Sequence, residues 1–392
     1  MDISFNEDQQ LLHETALSFA LSAMTPARIR ELEETDAGFD AAVWKQMAEM
    51  GWAGAVFPEQ YGGAGASPVE LALIVEALGQ GAIPSPIFST VIEAGLLLLD
   101  AGSAAQRDSW LPRIAAGDAI LTTAISESGG GLRPEEIKTR IIPSGNGFTL
   151  SGTKLFVRDA GTAEAIICAG RSGENPSDLT LVMVPRGISG LRLRRMRAAG
   201  GESLWEATFD NVALDADAIV GEPGDAWYHV ARLHLRGAAF KSAELVGIGQ
   251  ASLDLTLSYA KTREQFGGPI GRFQGVHHHC AEMYRDLQVS RLLAWQASAS
   301  LGEGLAGSRE VSMAKAKCSE VMPALTRMAH QIHGAIAYYR DYPLELYYHR
   351  AIAAQSAYGD AGHHRRALSE LLSNDLDGFR GEDRHELPVH YF

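Results

Sequence analysis

Cysteine is scarce in this chain of 392 residues. Its three cysteines, Cys168, Cys280 and Cys318, are far apart in sequence and odd in number. This usage excludes a disulfide framework and is typical of a protein that folds in a reducing compartment. We therefore expect three free, buried thiols.

Long apolar runs are also lacking. Runs such as residues 94–99 are far shorter than the roughly 20 apolar residues that a transmembrane helix requires. Residues 1–8 contain neither the basic segment nor the apolar core of a secretory signal. These absences predict a cytoplasmic protein that does not cross a membrane.

Positive charge is the third deficit. Lys and Arg number 34 against 48 Asp and Glu, which gives a net charge of −14. Because nucleic acid attracts clustered positive charge, this balance excludes generic nucleic-acid binding. It does not exclude an anionic thioester, since a few local basic groups suffice to bind one.

The texture of the sequence divides the chain into three zones. Residues 1–120 show helical periodicity, and Asn6 can cap the first helix. Residues 121–224 hold short β-prone runs between Gly, Asn and Ser turns, and residues 225–392 return to amphipathic helices. The predicted fold is α+β, with an N-terminal helical domain, a middle β-barrel or sandwich and a C-terminal four-helix bundle.

The most informative stretch is residues 259–274, Tyr-Ala-Lys-Thr-Arg-Glu-Gln-Phe-Gly-Gly-Pro-Ile-Gly-Arg-Phe-Gln. We expect a helix that ends in a buried Phe266, a tight Gly-Gly-Pro turn and a second helix that starts near Phe273. Arg263 and Gln274 flank the turn, where two helices can jointly grip a ligand. Arg offers a planar fork of donors that suits a pyrophosphate, and Gln offers a donor and an acceptor.

Four other segments accompany this turn. They are Tyr61-Gly-Gly-Ala-Gly65, Ala124-Ile-Ser-Glu-Ser-Gly-Gly-Gly131, Ser151-Gly-Thr-Lys154 and Gln331-Ile-His-Gly-Ala335. In this order and spacing, the five segments resemble signature segments of the acyl-CoA dehydrogenase family. The resemblance covers nearly the whole chain.

The resemblance implies α,β-dehydrogenation of an acyl-CoA thioester. A base would remove a proton from Cα, and N5 of FAD would accept a hydride from Cβ. No Gly-x-Gly-x-x-Gly follows a strand and opens a helix, so a Rossmann unit is not predicted. The implied partners are the acyl-CoA substrate, an electron-transfer flavoprotein or similar acceptor, and further chains of a homo-oligomer or heteromer.

The same resemblance assigns cofactor contacts to the helical bundle. Arg263 and Phe266 would contact the pyrophosphate and adenine of FAD, commonly across to a neighbouring subunit. Gln331 and the backbone of Gly334 would meet the pyrophosphate from a helix start, where free N–H groups favour anions.

In the β-domain, the resemblance places Ser126 near the isoalloxazine ring. Phe156 stands where many relatives set a Trp against the flavin. Two departures occur nearby, because Leu132-Arg133 replaces a Ser-Asp pair and Arg158 replaces a Thr that often touches the flavin.

At both positions where the family carries its catalytic base, this chain has a glycine. The segment Tyr358-Gly-Asp-Ala361 stands where relatives have Tyr-Glu-Gly-Thr, and the alternative position on the preceding helix falls on Gly237. Glu244 lies seven residues after Gly237, close to two helical turns, so both face the same way. We predict Glu244 as the base and Asp360 as the second choice.

The apolar neighbours of Glu244 would leave its carboxylate poorly solvated and suited to accept a proton. An ion pair with Lys241 is the open alternative. The empty base positions also leave open a non-catalytic or site-sharing subunit of a heteromer, and a flavin oxidase on the same scaffold. The run from His277 to Cys280 does not predict a metal site, because consecutive helical residues point about 100° apart.

Overall fold

The computed structural model describes residues 5–379, beginning with a helical region. Its helices are α1 (Glu7–Ser22), α2 (Pro26–Glu33), α3 (Ala41–Glu49), α4 (Pro68–Gln80), α5 (Leu96–Ala101) and α6 (Ala104–Ala115). The predicted cap of α1 is confirmed: the Asn6 side chain accepts from the Gln9 backbone, and the Gln9 side chain accepts from the Asn6 backbone. This reciprocal pair satisfies two N–H groups at the helix start.

A π-helix, Ile87–Gly95, lies between α4 and α5. Such helices are rare and often mark functional sites. Every residue of this one is buried, including a single carboxylate, Glu93. The π-helix packs against the first strand of the sheet and against the longest helix of the bundle.

Eight strands of the described chain form one sheet. They are β1 (Leu121–Ala124), β2 (Arg140–Ser144), β3 (Gly147–Arg158), β4 (Ala165–Arg171), β5 (Leu179–Pro185), β6 (Leu191–Met196), β7 (Leu204–Asp215) and β8 (Ile219–Val220). Their order is β6-β7-β3-β2-β4-β5-β8, with β1 parallel to β4. Strand propensity alone misses β2, which contains Pro143, and β7, which is rich in polar residues, because cross-strand pairing outweighs propensity there.

Strand β3 carries two register shifts against β7, the second between Lys154 and Val157. Phe156 lies within the second shift and has a left-handed backbone, with φ of 58°. A bulge of this kind re-aims a side chain out of the regular alternation of the strand.

The C-terminal region is a helical bundle. Its helices are α7 (Ala226–Thr262), α8 (Gln274–Ser300), α9 (Ser308–His333), α10 (Leu344–Ser356) and α11 (Ala361–Phe379). The three cysteines are free thiols as predicted; Cys168 and Cys318 are buried, whereas Cys280 is only partly so. Among the described residues, no helix is long and apolar enough to cross a membrane.

The turn between α7 and α8 is a miniature hairpin. Two short strands, β9 (Glu264–Gln265) and β10 (Gly268–Pro269), pair across Phe266 and Gly267, whose φ angles are 55° and 83°. Positive φ at both central residues is the mark of a type I′ turn. The expectation that Phe266 is buried is wrong: it is 85% exposed, because the hairpin projects its tip away from the bundle.

Candidate active site

A cavity of about 370 Å³ lies between the sheet, the π-helix and the bundle. We call it the large cavity. Its walls come from β1, β3, α7, α10 and the turn before α11. The lining side chains used below are Glu93, Thr123, Ser126, Phe156, Arg158, Glu202, His234 and Tyr358.

Two predicted cofactor residues, Ser126 and Phe156, line this cavity. The Phe156 ring is 55% exposed, although it is a large apolar group. Its left-handed backbone is uncommon for a bulky residue and persists only where the surroundings enforce it. An exposed aromatic plane on a cavity wall is suited to stack against a flat ring system.

His234 on α7 adds an unpaired polar atom to the same wall. Its side chain is buried, and its Nδ1 atom has no hydrogen-bond partner within the described chain. Burial lowers the pKa of His234 to about 4, so the imidazole is neutral near pH 7. A buried unpaired ring nitrogen is costly, and a bound polar ligand can satisfy it.

A buried ionic cluster closes one end of the large cavity. Glu93 accepts hydrogen bonds from the hydroxyl of Tyr358 and from Thr123 Oγ1, the latter at 2.7 Å. Arg158 Nε lies 3.4 Å from Glu93 Oε1, and Arg158 Nη1 donates to Glu202 Oε1 at 2.6 Å. We call these five residues the Glu93–Arg158 cluster.

The electrostatics of this cluster favour an ionised Glu202. Burial alone would raise the pKa of Glu202, but the positive charges of Arg158 and Lys241 lower it to about 2. Burial raises the pKa of the Tyr358 phenol well above its ordinary value, and the charge of Glu93 adds to this rise. Tyr358 therefore stays a hydrogen-bond donor to Glu93 across the physiological range.

The two empty base positions are also sterically closed. A Cβ atom at Gly237 would lie 2.3 Å from Cε1 of Tyr358. A Cβ atom at Gly359, where φ is 95°, would lie 2.6 Å from Cδ2 of His363. Neither position could therefore accept a Glu unless its neighbours moved.

Glu244, the predicted base, does not line the large cavity. Its Oε2 atom lies 2.6 Å from Nζ of the buried Lys241, which is the ion pair left open as the alternative. The two residues line a second cavity of about 80 Å³, which we call the small cavity.

Asp360, the second predicted base, caps a helix. It is exposed, and its Oδ1 atom accepts from the backbone N–H of His363 at 2.7 Å at the start of α11. That hydrogen bond holds the pKa of Asp360 below its ordinary value.

Two basic side chains hold the turn that contains Tyr358 and Gly359. Lys315 Nζ donates to the Gly359 carbonyl at 2.8 Å, and His364 Nε2 lies 3.0 Å from the Tyr358 carbonyl. Burial lowers the pKa of Lys315 to about 7 and that of His364 to about 3. The turn is thus anchored from α9 and α11.

The remaining predicted cofactor residues are all exposed on the surface of the bundle, and none lines the large cavity. They are Arg263, Phe266, Gln274, Gln331 and Gly334. The rings of Tyr259 and His333 stack with centroids 4.4 Å apart, so the α7–α8 hairpin and the end of α9 lie at the same end of the bundle.

The expected helix start is present at Gly334 but not at Gln331. Helix α9 ends at His333 with Gln331 in its last turn, and a short 3-10 helix, Gly334–Tyr338, begins at the next residue. The backbone of Gly334, with φ of 67°, therefore stands at the junction of the two helices. Whether this junction meets a pyrophosphate stays a prediction.

Sequence reasoning missed Glu93 and Glu202. Glu93 had one available signal, because it is the single charged residue in the apolar run 87–99. A lone carboxylate among residues that helical spacing would bury requires a partner. Glu202 gave no comparable signal, since it lies in a glycine-containing loop. Within residues 5–379, no group of His, Cys, Asp or Glu side chains could hold a metal ion.

Comparison with known proteins places this geometry in a family. The N-terminal, middle and C-terminal domain models of acyl-CoA dehydrogenase match residues 6–118, 122–212 and 229–372. Acryloyl-CoA reductase (NADH) of Anaerotignum propionicum is 28% identical, over 94% of this chain and 95% of that protein.

Two solved structures extend the comparison. Glutaryl-coenzyme A dehydrogenase in its glutaryl-CoA complex is 26% identical, with a TM-score of 0.89 and 98% of each chain covered. The ChsE4-ChsE5 complex from Mycobacterium tuberculosis is 26% identical, with a TM-score of 0.84 over 95% of this chain and 99% of that chain. The three domain matches show that this chain belongs to the acyl-CoA dehydrogenase family of flavin-dependent oxidoreductases.

Proposed function

We propose that the chain binds FAD at the large cavity and oxidises the Cα–Cβ bond of an acyl-CoA thioester there. The exposed Phe156 ring, held in a left-handed conformation on the cavity wall, is the observation that carries the proposal. The unpaired Nδ1 atom of His234 supports it, because a polar ligand would satisfy that atom. Bound FAD would supply the acceptor for the hydride that leaves Cβ.

The chain's own residues would bind and orient the flavin and the thioester. Phe156 offers an apolar face to the flavin ring, and Ser126 offers a hydroxyl beside it. His234, neutral at physiological pH, can make a hydrogen bond to the flavin or to the thioester.

The exposed group at the end of the bundle would serve the cofactor of a neighbouring subunit. Arg263, Phe266 and Gln274 lie on or beside the hairpin, and Gln331 and Gly334 lie at the adjacent end of α9. None reaches the large cavity of its own chain, so they would act on FAD only across a subunit interface. An electron-transfer flavoprotein or a similar acceptor would then take the electrons.

Glu93 is the carboxylate that the geometry favours for removing the Cα proton. It lines the large cavity, where Arg158 lies beside it and the hydroxyl groups of Thr123 and Tyr358 donate to it. Glu244 and Asp360 remain candidates from the sequence. Glu244 would first have to leave Lys241, and Asp360 would have to leave the start of α11.

A second candidate function is a subunit that shares its site with a different chain. The observation that favours it is the closure of both family base positions by Tyr358 and His363. In such a heteromer, the partner would provide the base and this chain would provide part of the flavin site.

Flavin content and oligomeric state test both candidates. The chain is expressed alone, reconstituted with FAD and desalted, and its absorbance spectrum and native mass are recorded. One FAD per chain in a homo-oligomer supports the first candidate. Tight FAD binding only after addition of a related chain, at one FAD per pair, supports the second. A colourless protein under both conditions contradicts the proposal.

A further inference from the structure

Arg158 forms part of the wall between the large and small cavities. Both cavities are lined by Arg158, Glu202 and Ala353, so the ion pair between the first two separates them. Arg158 is held from both sides, with Nε 3.4 Å from Glu93 and Nη1 2.6 Å from Glu202. Its side chain is 16% exposed.

The small cavity beyond this wall is narrow, and charged side chains line it beside apolar ones such as Leu78, Ile87 and Phe88. Its volume is about 80 Å³, against about 370 Å³ for the large cavity. Asp159, Lys241, Glu244 and Arg350 line it together with the two residues of the wall. Methylene groups placed among these charges would remove their solvation without replacing their hydrogen bonds.

The wall is also difficult to displace. Moving Arg158 aside would remove the cation beside the buried carboxylate of Glu93 and leave Glu202 with Lys241, whose Nζ lies 3.7 Å from Glu202 Oε1. The penalty for an uncompensated buried charge exceeds the gain from burying a few methylene groups. An acyl chain that enters the large cavity therefore stops at Arg158.

We propose that Arg158 is a specificity-determining residue that ends the acyl site and restricts this chain to short-chain acyl-CoA thioesters. The proposal rests on dehydrogenation taking place in the large cavity. It goes further by stating which acyl groups the cavity accepts and which residue sets the limit.

The test compares two double variants with the wild type. Arg158→Met/Glu202→Gln removes both members of the wall pair, while Glu93 keeps its hydrogen bonds from Thr123 and Tyr358. Arg194→Met/Glu206→Gln makes the same exchange in an exposed pair whose separation is also 2.6 Å. The FAD-reconstituted proteins are titrated by calorimetry with 3-thia-acyl-CoA analogues of butyryl to decanoyl length, in which sulfur replaces the β-carbon so that no hydride can leave it.

The wild type and the surface control should bind the butyryl-length analogue about tenfold or more tightly than the decanoyl-length one. The wall variant should lose this preference. If the double variant does not fold, Arg158→Lys replaces it in the test, because it keeps the charge on a shorter side chain. This variant should improve binding of the hexanoyl-length analogue relative to the butyryl-length one.

Equal affinity of the wild type for all lengths would overturn the role of Arg158 and leave dehydrogenation standing. An unchanged length preference in the wall variant, or in Arg158→Lys where that variant replaces it, would do the same. Absence of binding at every length, with or without FAD, would overturn both this proposal and the proposed function.

Discussion

At the scale of single residues, the Glu93–Arg158 cluster is the part of the site whose disruption would cost the most free energy. Breaking a buried ion pair by removing one partner typically destabilises a protein by about 3–5 kcal/mol, whereas burying one methylene contributes about 0.8 kcal/mol. An aliphatic substrate would therefore need roughly four or more additional methylene groups to displace Arg158. This comparison explains why the cluster can limit a cavity without any bulky apolar side chain.

Glu93→Gln tests the assignment of the base. Gln keeps the shape of Glu93 and can still accept from Thr123 or Tyr358, so we expect a stability loss of about 1–3 kcal/mol and a folded, flavin-binding protein. Without a carboxylate, the rate of flavin reduction by acyl-CoA should fall about 100-fold or more, as measured by anaerobic stopped flow.

Glu244→Gln is the matched control, because it removes a carboxylate that pairs with Lys241 outside the large cavity. It should reduce the flavin at close to the wild-type rate. If Glu244→Gln loses reduction and Glu93→Gln keeps it, Glu244 is the base and must leave Lys241 during the reaction. Loss in Asp360→Asn alone would assign the role to Asp360.

At the scale of elements, the sequence predicts the helices and most strands but not how they come together. Asn6, the apolar periodicity of α9 and the β-prone runs are local signals, and the structure confirms them. The local sequence does not predict the π-helix, because its extra residue per turn is stabilised by packing against β1 and α7. Glu93 meets Thr123 and Arg158 only through that packing, so no spacing in the chain could reveal the cluster.

The sequence predicts a site residue correctly where the position of that residue depends only on its own segment. Ser126 and Phe156 belong to the sheet segments that resemble the family, and both line the large cavity. Glu244 was predicted from helical spacing, which places residues on a face but does not show that Lys241 occupies its carboxylate. The exposed Phe266 was misjudged because a hydrophobic residue at a hairpin tip has the same pattern as one in a core.

The anchoring of the Tyr358 turn by His364 gives the structure a pH dependence. Burial lowers the pKa of His364 in the folded chain to about 3, against 6.5 for an ordinary histidine, so the unfolded chain takes up a proton at a higher pH than the folded chain. Stability is therefore complete above pH 6.5 and is lost as the pH falls towards 3.

His364→Gln should remove this dependence, because Gln does not titrate. At pH 7 the variant should be less stable than the wild type by about 1 kcal/mol, for lost hydrogen bonds. Below pH 6 the difference should fall by up to about 1.4 kcal/mol per pH unit, so the variant should become the more stable protein by about pH 5. Urea unfolding at pH 7, 6 and 5 measures this difference in the free energy of unfolding. A difference that stays constant with pH would show that another group controls the loss of stability in acid.

At the scale of the whole molecule, the proposed flavin site extends beyond one chain. The large cavity holds Phe156 and His234, whereas the exposed cofactor residues lie at the end of the bundle. If a neighbouring subunit completes the site, flavin affinity depends on assembly and should weaken as the protein is diluted into dissociated chains. The same arrangement would allow a related chain to take the neighbour's place.

Arg263→Met tests this cross-subunit contact. Loss of a charge-assisted contact to phosphate of about 1.5–3 kcal/mol should weaken FAD binding about 10- to 150-fold, measured by flavin fluorescence, without change in native mass. Arg285→Met is the control, because Arg285 is also exposed on the bundle. FAD affinity that is the same in both variants would exclude Arg263 from the flavin site.

Anaerobic titration of the FAD-reconstituted chain with butyryl-CoA tests the central claim most directly. If the chain oxidises short acyl-CoA thioesters at the large cavity, as proposed, the visible absorbance of oxidised flavin should fall in proportion to the thioester added. One equivalent of enoyl-CoA should appear for each flavin reduced. Flavin that keeps its absorbance with every thioester, both in the isolated chain and in its complex with a related chain, would contradict the account.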